Sequence, residues 1–172
     1  MIVLCGAKTR DIEGIKITVL DVGQGDGIVL SGKGKNYLID GGSSDVKQAG
    51  AQRIEPYLLS EGIGCLDYVF VTHGDEDHIS GIRELLEGQK LGVRIDTLVL
   101  PPEEYHDEKL ADLARIAVEN GTRVVSVKTG ANIYGRGERQ TEKNRFKRSD
   151  AVEMYRPAYG HTAGADKTKG GK

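Results

Sequence analysis

VFVTHGDEDHISG, residues 69–81, is an apolar run that breaks into two histidines and three acids within six residues. The apolar lead-in reaches back to Leu66 and reads as a buried strand. Ile79, Ile82, Leu85 and Leu86 then fall on one face of a helix. The dense segment from His73 to His78 therefore lies in a strand-to-helix loop, where rigid scaffolds present reactive groups. His73, Asp75 and Asp77 alternate at i, i+2 and i+4, and His78 stands at the mouth of the helix. Imidazole nitrogen and carboxylate oxygen are natural ligands of Zn²⁺, Mn²⁺ or Fe²⁺. Four such ligands so close together can hold two ions, an arrangement suited to hydrolysing a phosphate or acyl ester. The plainer alternative is a solvated acidic turn, with Glu76 and Asp77 favoured near a helix N-terminus. Two histidines interleaved with acids behind a buried strand weigh toward the metal. An EF-hand loop is excluded, because Ile79 stands where a third oxygen ligand is needed.

Working outward, residues 16–20 read as a β-branched strand running into the glycine-punctuated turn DVGQGDG, residues 21–27. Short strands at 28–30 and 37–39 flank the turn residues Gly32, Lys33 and Gly34, a hairpin signal. The polar loop DGGSS, residues 40–44, leads to a helix expected over about residues 48–61 and stopped by Gly62 and Gly64. A strand at 95–100 ends in Pro101 and Pro102. The best helical register follows over 107–120, with Leu110, Leu113, Ile116 and Ala117 on one face, and a last strand covers 124–127. Hairpin strands first, then strands alternating with helices, predict an α/β layered domain. Gly23-Gln-Gly25 is not a dinucleotide fingerprint, since Ile28 occupies the place of the third glycine.

Hydrophobic residues make up 38% of the 172 and charged residues 29%, a globular composition with no apolar run long enough to span a membrane. Residues 1–130 carry 14 Lys+Arg against 21 Asp+Glu, while residues 131–172 carry 10 against 5. An acidic body is thus followed by a basic segment without apolar periodicity, expected to be a disordered tail. Cys5 and Cys65 form no CxxC pair and read as two small buried thiols rather than a disulfide or thiolate site. The opening residues 1–14 precede the first strand, and MIVLC reads as the stub of a preceding membrane helix.

THGDEDHISG is similar to the HxHxDH signature of the metallo-β-lactamase fold, with Asp75 in place of the middle histidine. LDVGQGDGIVL (20–30), YLIDGG (37–42), PYLLSEGIGCLDYVFVTHGDEDHISG (56–81) and IDTLVLPP (95–102) resemble one branch of it. That branch is the hydrolase domain of the ComEC-type DNA-internalisation competence proteins and their free-standing relatives. The resemblance spans residues 15–130 and implies an αββα sandwich with two divalent ions, Zn²⁺ or Mn²⁺, at the strand ends. It implies that His73 and Asp75 ligate the first ion and Asp77 and His78 the second. Asp77 is then also the catalytic residue that orients the attacking water. Asp40 is implied to fix a ligand or its loop, and Asp26 to approach the same site. Asp21 and Gln24 lie in the same loop and could approach the site too, with turn chemistry the favoured reading for Asp21.

The family's later bridging aspartate and further histidines have no counterpart here, and the second sheet needs roughly another hundred residues. The reading is therefore the first half of the sandwich, with the sheet's second face uncovered and residues 131–172 a basic or frame-shifted tail. His106 is expected to be exposed, and His161, in YGHTAG, to match a family histidine segment only by chance. The expected function is a metal-dependent phosphodiesterase or nuclease linked to DNA uptake, incomplete and inactive as this chain. Single-stranded DNA and the membrane channel domains of the full-length protein are the implied partners, at the outer face of the cell membrane. A free-standing ester, lactone or phosphate hydrolase and a non-catalytic metal-binding fragment are the alternatives.

Overall fold

The computed structural model describes residues 14–128 and 130, together with the backbone of residues 152–154. Three antiparallel strands open the chain: β1 (Lys16–Val19), β2 (Gly27–Gly32) and β3 (Lys35–Gly41). Gly32 pairs with Lys35 across Lys33 and Gly34, both at positive φ (50° and 71°). Such a two-residue turn matches the twist of the strands it joins. A π-helical turn, Gly50–Ile54, passes into α1 (Glu55–Ser60), so the expected helix begins later and more loosely wound than its periodicity suggests.

The two apolar runs expected as single strands are each divided at an aspartate. Residues 66–71 become β4 (Cys65–Leu66) and β5 (Tyr68–Phe70), and residues 95–100 become β6 (Arg94–Ile95) and β7 (Thr97–Leu100). At the first break Asp67 accepts from the Asn36 amide and the Lys35 ammonium (3.0 and 2.5 Å). At the second, the Asp96 amide donates to Leu66 and the Asp96 carbonyl accepts from the Arg123 amide. β4 and β6 pair in a small parallel sheet of their own. α2 (Glu76–Gly88), α3 (Glu108–Glu119) and β8 (Arg123–Val127) complete the alternation.

With a last strand β9 (Val152–Met154), the main sheet runs β1-β2-β3-β5-β7-β8-β9, with β3, β5, β7 and β8 mutually parallel. Alternate residues decide its two faces. Leu38, Val69, Leu98 and Val124 join Leu58, Ile82, Leu86 and Leu113 of the helices in one core. Arg83 of α2 pairs with Asp112 of α3, tying the helices together outside that core. On the opposite face Tyr68, Val99 and Val125 are buried, with Tyr37, Phe70 and Val127 packed against them. The expectation that this face is uncovered is corrected at β5, β7 and β8, and holds at β1, where Ile17 and Val19 are exposed.

β9 (Val152–Met154) pairs antiparallel with β8 at Val125↔Met154. The composition of residues 131–172 conceals this strand, because three residues are too few to establish a period. The rest of that segment, His161 included, and residues 1–13 with Cys5 lie outside the described residues. Cys65 is half-buried, with its sulfur accepting from Arg94, rather than fully buried as expected. Among the described residues no helix is long and apolar enough to cross a membrane.

Candidate metal centre

β3 and β5 run parallel, so their C-terminal ends lie side by side, and β2 begins at the same end because it is antiparallel to β3. Asp40 closes β3, the 73–78 segment follows β5, and Asp26 precedes β2. Three separate stretches of sequence thus meet where α/β sheets place their ligands. The loops interlock through their backbones. The Asp26 amide donates to the Asp77 carbonyl, and the Gly42 amide to the Asp26 carbonyl (both 3.1 Å). A Cβ at Gly42 would lie 2.7 Å from the Asp77 carbonyl carbon, and one at Gly25 would lie 2.5 Å from the Asp77 oxygen. Only glycine lets these chains pass so close.

Asp40 stands at φ 51°, a left-handed conformation that aspartate tolerates better than most residues. Its side chain is 6% exposed. One carboxylate oxygen accepts from the Thr72 amide (2.9 Å), and the other from the Thr72 hydroxyl (2.8 Å) and from His78 Nδ1 (3.0 Å). A carboxylate can only accept, so Thr72 spends its single hydroxyl proton on Asp40. Its lone pair is left for His73 Nδ1–H at 2.9 Å. Both imidazoles therefore carry a proton on Nδ1, which leaves Nε2 as the nitrogen that can take a metal.

Those two Nε2 atoms each face a carboxylate. His73 Nε2 is 3.5 Å from Asp75 Oδ2, and His78 Nε2 is 3.7 Å from Asp77 Oδ2. The rings themselves are 3.8 Å apart. Asp75 occupies the N-cap position of α2, yet its side chain makes no capping hydrogen bond and turns to His73 instead. Glu76 and Asp77 do lie in the first turn of α2, as the acidic-turn alternative expects. The tightest grouping of donor atoms among the described residues is Asp26, Asp40 and His78, within 4.8 Å of one another. It engages the Nδ1 side of His78, where Asp26 stands 3.6 Å away. Asp40 accepts three protein hydrogen bonds, one of them from His78, and we read it as the group that orients His78. The open, exposed member of this trio is Asp26. Two nitrogen–oxygen donor pairs backed by a buried carboxylate fit divalent cations.

The remaining residues divide cleanly. Asp21 accepts from the Gly23 amide (3.3 Å) and approaches Arg53, as turn chemistry anticipates. The Gln24 amide donates to Asp45 (2.7 Å), and chiefly this contact holds the Asp45 carboxyl below its ordinary range. His106 is half-buried and donates from Nε2 to the Pro101 carbonyl (2.8 Å), so its expected exposure is corrected. Thr72, the link between His73 and Asp40, went unrecognised in the sequence. Its signal lay in its place directly before His73, at the end of the strand.

A mixed sheet with a parallel centre, one helical layer, and imidazoles and carboxylates gathered at its strand ends is the architecture of a metal-dependent α/β hydrolase. The Metallo-beta-lactamase superfamily matches residues 20–165, and the chain belongs to that superfamily. The match continues past Gly130 into the basic segment. ComE operon protein 3 of Bacillus subtilis (strain 168) is 29% identical over 132 residues, covering 67% of this chain and 16% of that protein. Recombination protein 2 of Haemophilus influenzae is 38% identical over 73 residues, covering 42% of this chain and 9% of that protein. The chain thus corresponds to a small fraction of either relative, and the resemblance to the competence proteins holds. Among solved structures, a diphosphatase from the PhnP family aligns over 64% of this chain and 40% of its own, at 20% identity and a TM-score of 0.37.

Proposed function

We propose that this chain carries the metal-binding half of a phosphodiesterase domain acting on single-stranded DNA during uptake. The observation that supports it most directly is the Asp40 carboxylate, which orients both histidines through one contact network running from buried Asp40 out to exposed Thr72 and His73. In this reading His73 and Asp75 hold one divalent ion, and Asp77 and His78 the other. When bound, Zn²⁺ or Mn²⁺ would polarise the ester and make water acidic enough to attack it. Asp77, partly exposed and beside His78 Nε2, holds the proton of the attacking water and sets its direction. Asp40 and Thr72 keep the imidazoles from turning, and Asp26 closes the site from the side of β2. DNA as the substrate, and the membrane channel as neighbour, are carried over from the competence relatives.

A second reading has a specific observation behind it. The 73–78 segment supplies two side-chain ligands per ion, whereas catalytic zinc sites keep three and a water. Metal binding with little turnover is therefore the expected behaviour of this chain. Metal content measured by mass spectrometry on protein purified without chelator tests the centre itself. Cleavage of single-stranded DNA, compared with a longer version that includes the rest of the domain, tests the reaction. No bound metal in either form, or cleavage that survives Asp77→Ala, would overturn the proposal.

A further inference from the structure

Where the family signature has a neutral histidine, this chain has Asp75, an added negative charge beside a substrate proposed to be anionic. α3 answers it. Asp107 caps that helix by accepting from the Leu110 amide (2.8 Å). The same carboxylate lies so near Gly74 that a Cβ there would stand 2.6 Å from its oxygen. The first turn of α3 is thereby pressed against the metal loop. From that turn Lys109 reaches Asp75, its Nζ 3.7 Å from Oδ1, while the sister oxygen of Asp75 faces His73 Nε2 at 3.5 Å. Both partners are about half exposed or more, a setting in which an ion pair contributes little to folding. Fold stability thus gives little reason for this lysine's position.

We infer that Lys109 is a specificity residue of the metal centre, one that selects anionic esters. The inference rests on the proposed metal centre and names what that centre accepts. Without a metal, the ammonium shares Asp75 with His73. Once a divalent ion takes up the charge of Asp75, the ammonium is one carboxylate away from the first donor pair and free to contact a non-bridging phosphate oxygen. Four carboxylates lie around the two histidines, at Asp26, Asp40, Asp75 and Asp77, so an anion approaching them gains from one cation at the edge. A neutral ester or lactone gains nothing from it.

The test uses the full chain, Mn²⁺ alone as the first probe and inorganic phosphate as the second. Wild type, Lys109→Met and Lys109→Arg are titrated with Mn²⁺, then with phosphate at saturating Mn²⁺. Lys109→Met should bind Mn²⁺ as tightly as wild type or more tightly, since a neighbouring positive charge is removed. It should bind phosphate about fivefold to tenfold more weakly, the scale of one partly exposed charge contact. Lys109→Arg should restore most of the phosphate affinity. Phosphate binding within twofold of wild type in Lys109→Met would overturn the inference and leave the metal centre standing. Loss of Mn²⁺ affinity in Lys109→Met would also overturn it, making the lysine a prop for the loop. Failure of wild type to bind Mn²⁺ would overturn both the inference and the metal centre.

Discussion

Replacing Asp40 by asparagine changes one atom and should disable the site through its histidines. The Thr72 amide cannot reverse, so it must keep an oxygen acceptor, and the asparagine oxygen will face it. The amide nitrogen then lies where Oδ2 was, toward the Thr72 hydroxyl and His78 Nδ1. Facing a donor, His78 Nδ1 must become an acceptor and move its proton to Nε2. Thr72 must likewise accept from the amide and turn its proton toward His73 Nδ1, which sends that histidine's proton to Nε2 as well. Restoring the ligand tautomer at His78 would set two donors against each other beside the buried residue 40, costing about 1–3 kcal/mol for the group left unsatisfied. Metal affinity should therefore fall by about 10- to 100-fold, the usual effect of removing a ligand's outer partner. That is roughly 1.4–2.8 kcal/mol. The backbone should accept the change, because asparagine tolerates the left-handed conformation at this position. Mn²⁺ titration gives the affinity, and ¹⁵N NMR of the imidazoles gives the tautomer directly. Affinity within threefold of wild type, with both histidines still protonated on Nδ1, would refute the reasoning.

Other outcomes follow from the same contacts. His73→Ala and Asp77→Ala should each lower metal occupancy, measured by mass spectrometry, while His106→Ala leaves it unchanged and costs about 1 kcal/mol of stability from its lost hydrogen bond to Pro101. Gly42→Ala should destabilise the fold by about 1–3 kcal/mol in denaturant melts, because its methyl group meets the backbone of Asp77 and His78 rather than a movable side chain. Deleting residues 131–172 should lower the melting temperature by several degrees, since β8 loses its β9 partner; an unchanged melt would show that the pairing adds no stability. Asp112 is held below its ordinary range by Arg115 first and Arg83 second, so its stabilisation is present above the unfolded carboxylate pKa and lost as pH falls. Wild type and Asp112→Asn should accordingly differ in melting temperature at neutral pH and converge below about pH 4.

Much of the fold was legible because periodicity and turn chemistry agreed along the chain. Residues 107–120 carry a helical face and an N-cap aspartate, and α3 forms there with Asp107 in that role. The apolar runs at 66–71 and 95–100 were placed correctly as strands but hid their division. An aspartate inside an apolar run says only that one side chain is polar. Whether the strand passes through it depends on Asn36, Lys35 and Arg123, which are distant in sequence. Fully buried runs also lack the alternation that would mark the break. β9 was illegible for a related reason, since its order comes from the neighbouring β8 rather than from any face of its own.

The site divides along the same line. The ligands proposed for it were written locally, in the six residues from His73 to His78. The parts that set protonation were not, because they act through contacts made only when β2, β3 and β5 align. Asp40 was expected near the site, but its control of both histidines depends on a left-handed turn that brings its oxygens to Thr72 and His78. Lys109 sits in a helix turn that reads as solvated surface, and it gains meaning only because Gly74 lets Asp107 bring that turn to the loop. A motif specifies which atoms can bind. The lone pairs that remain available are decided by the neighbours that take up the protons, and here those neighbours come from the ends of two other strands.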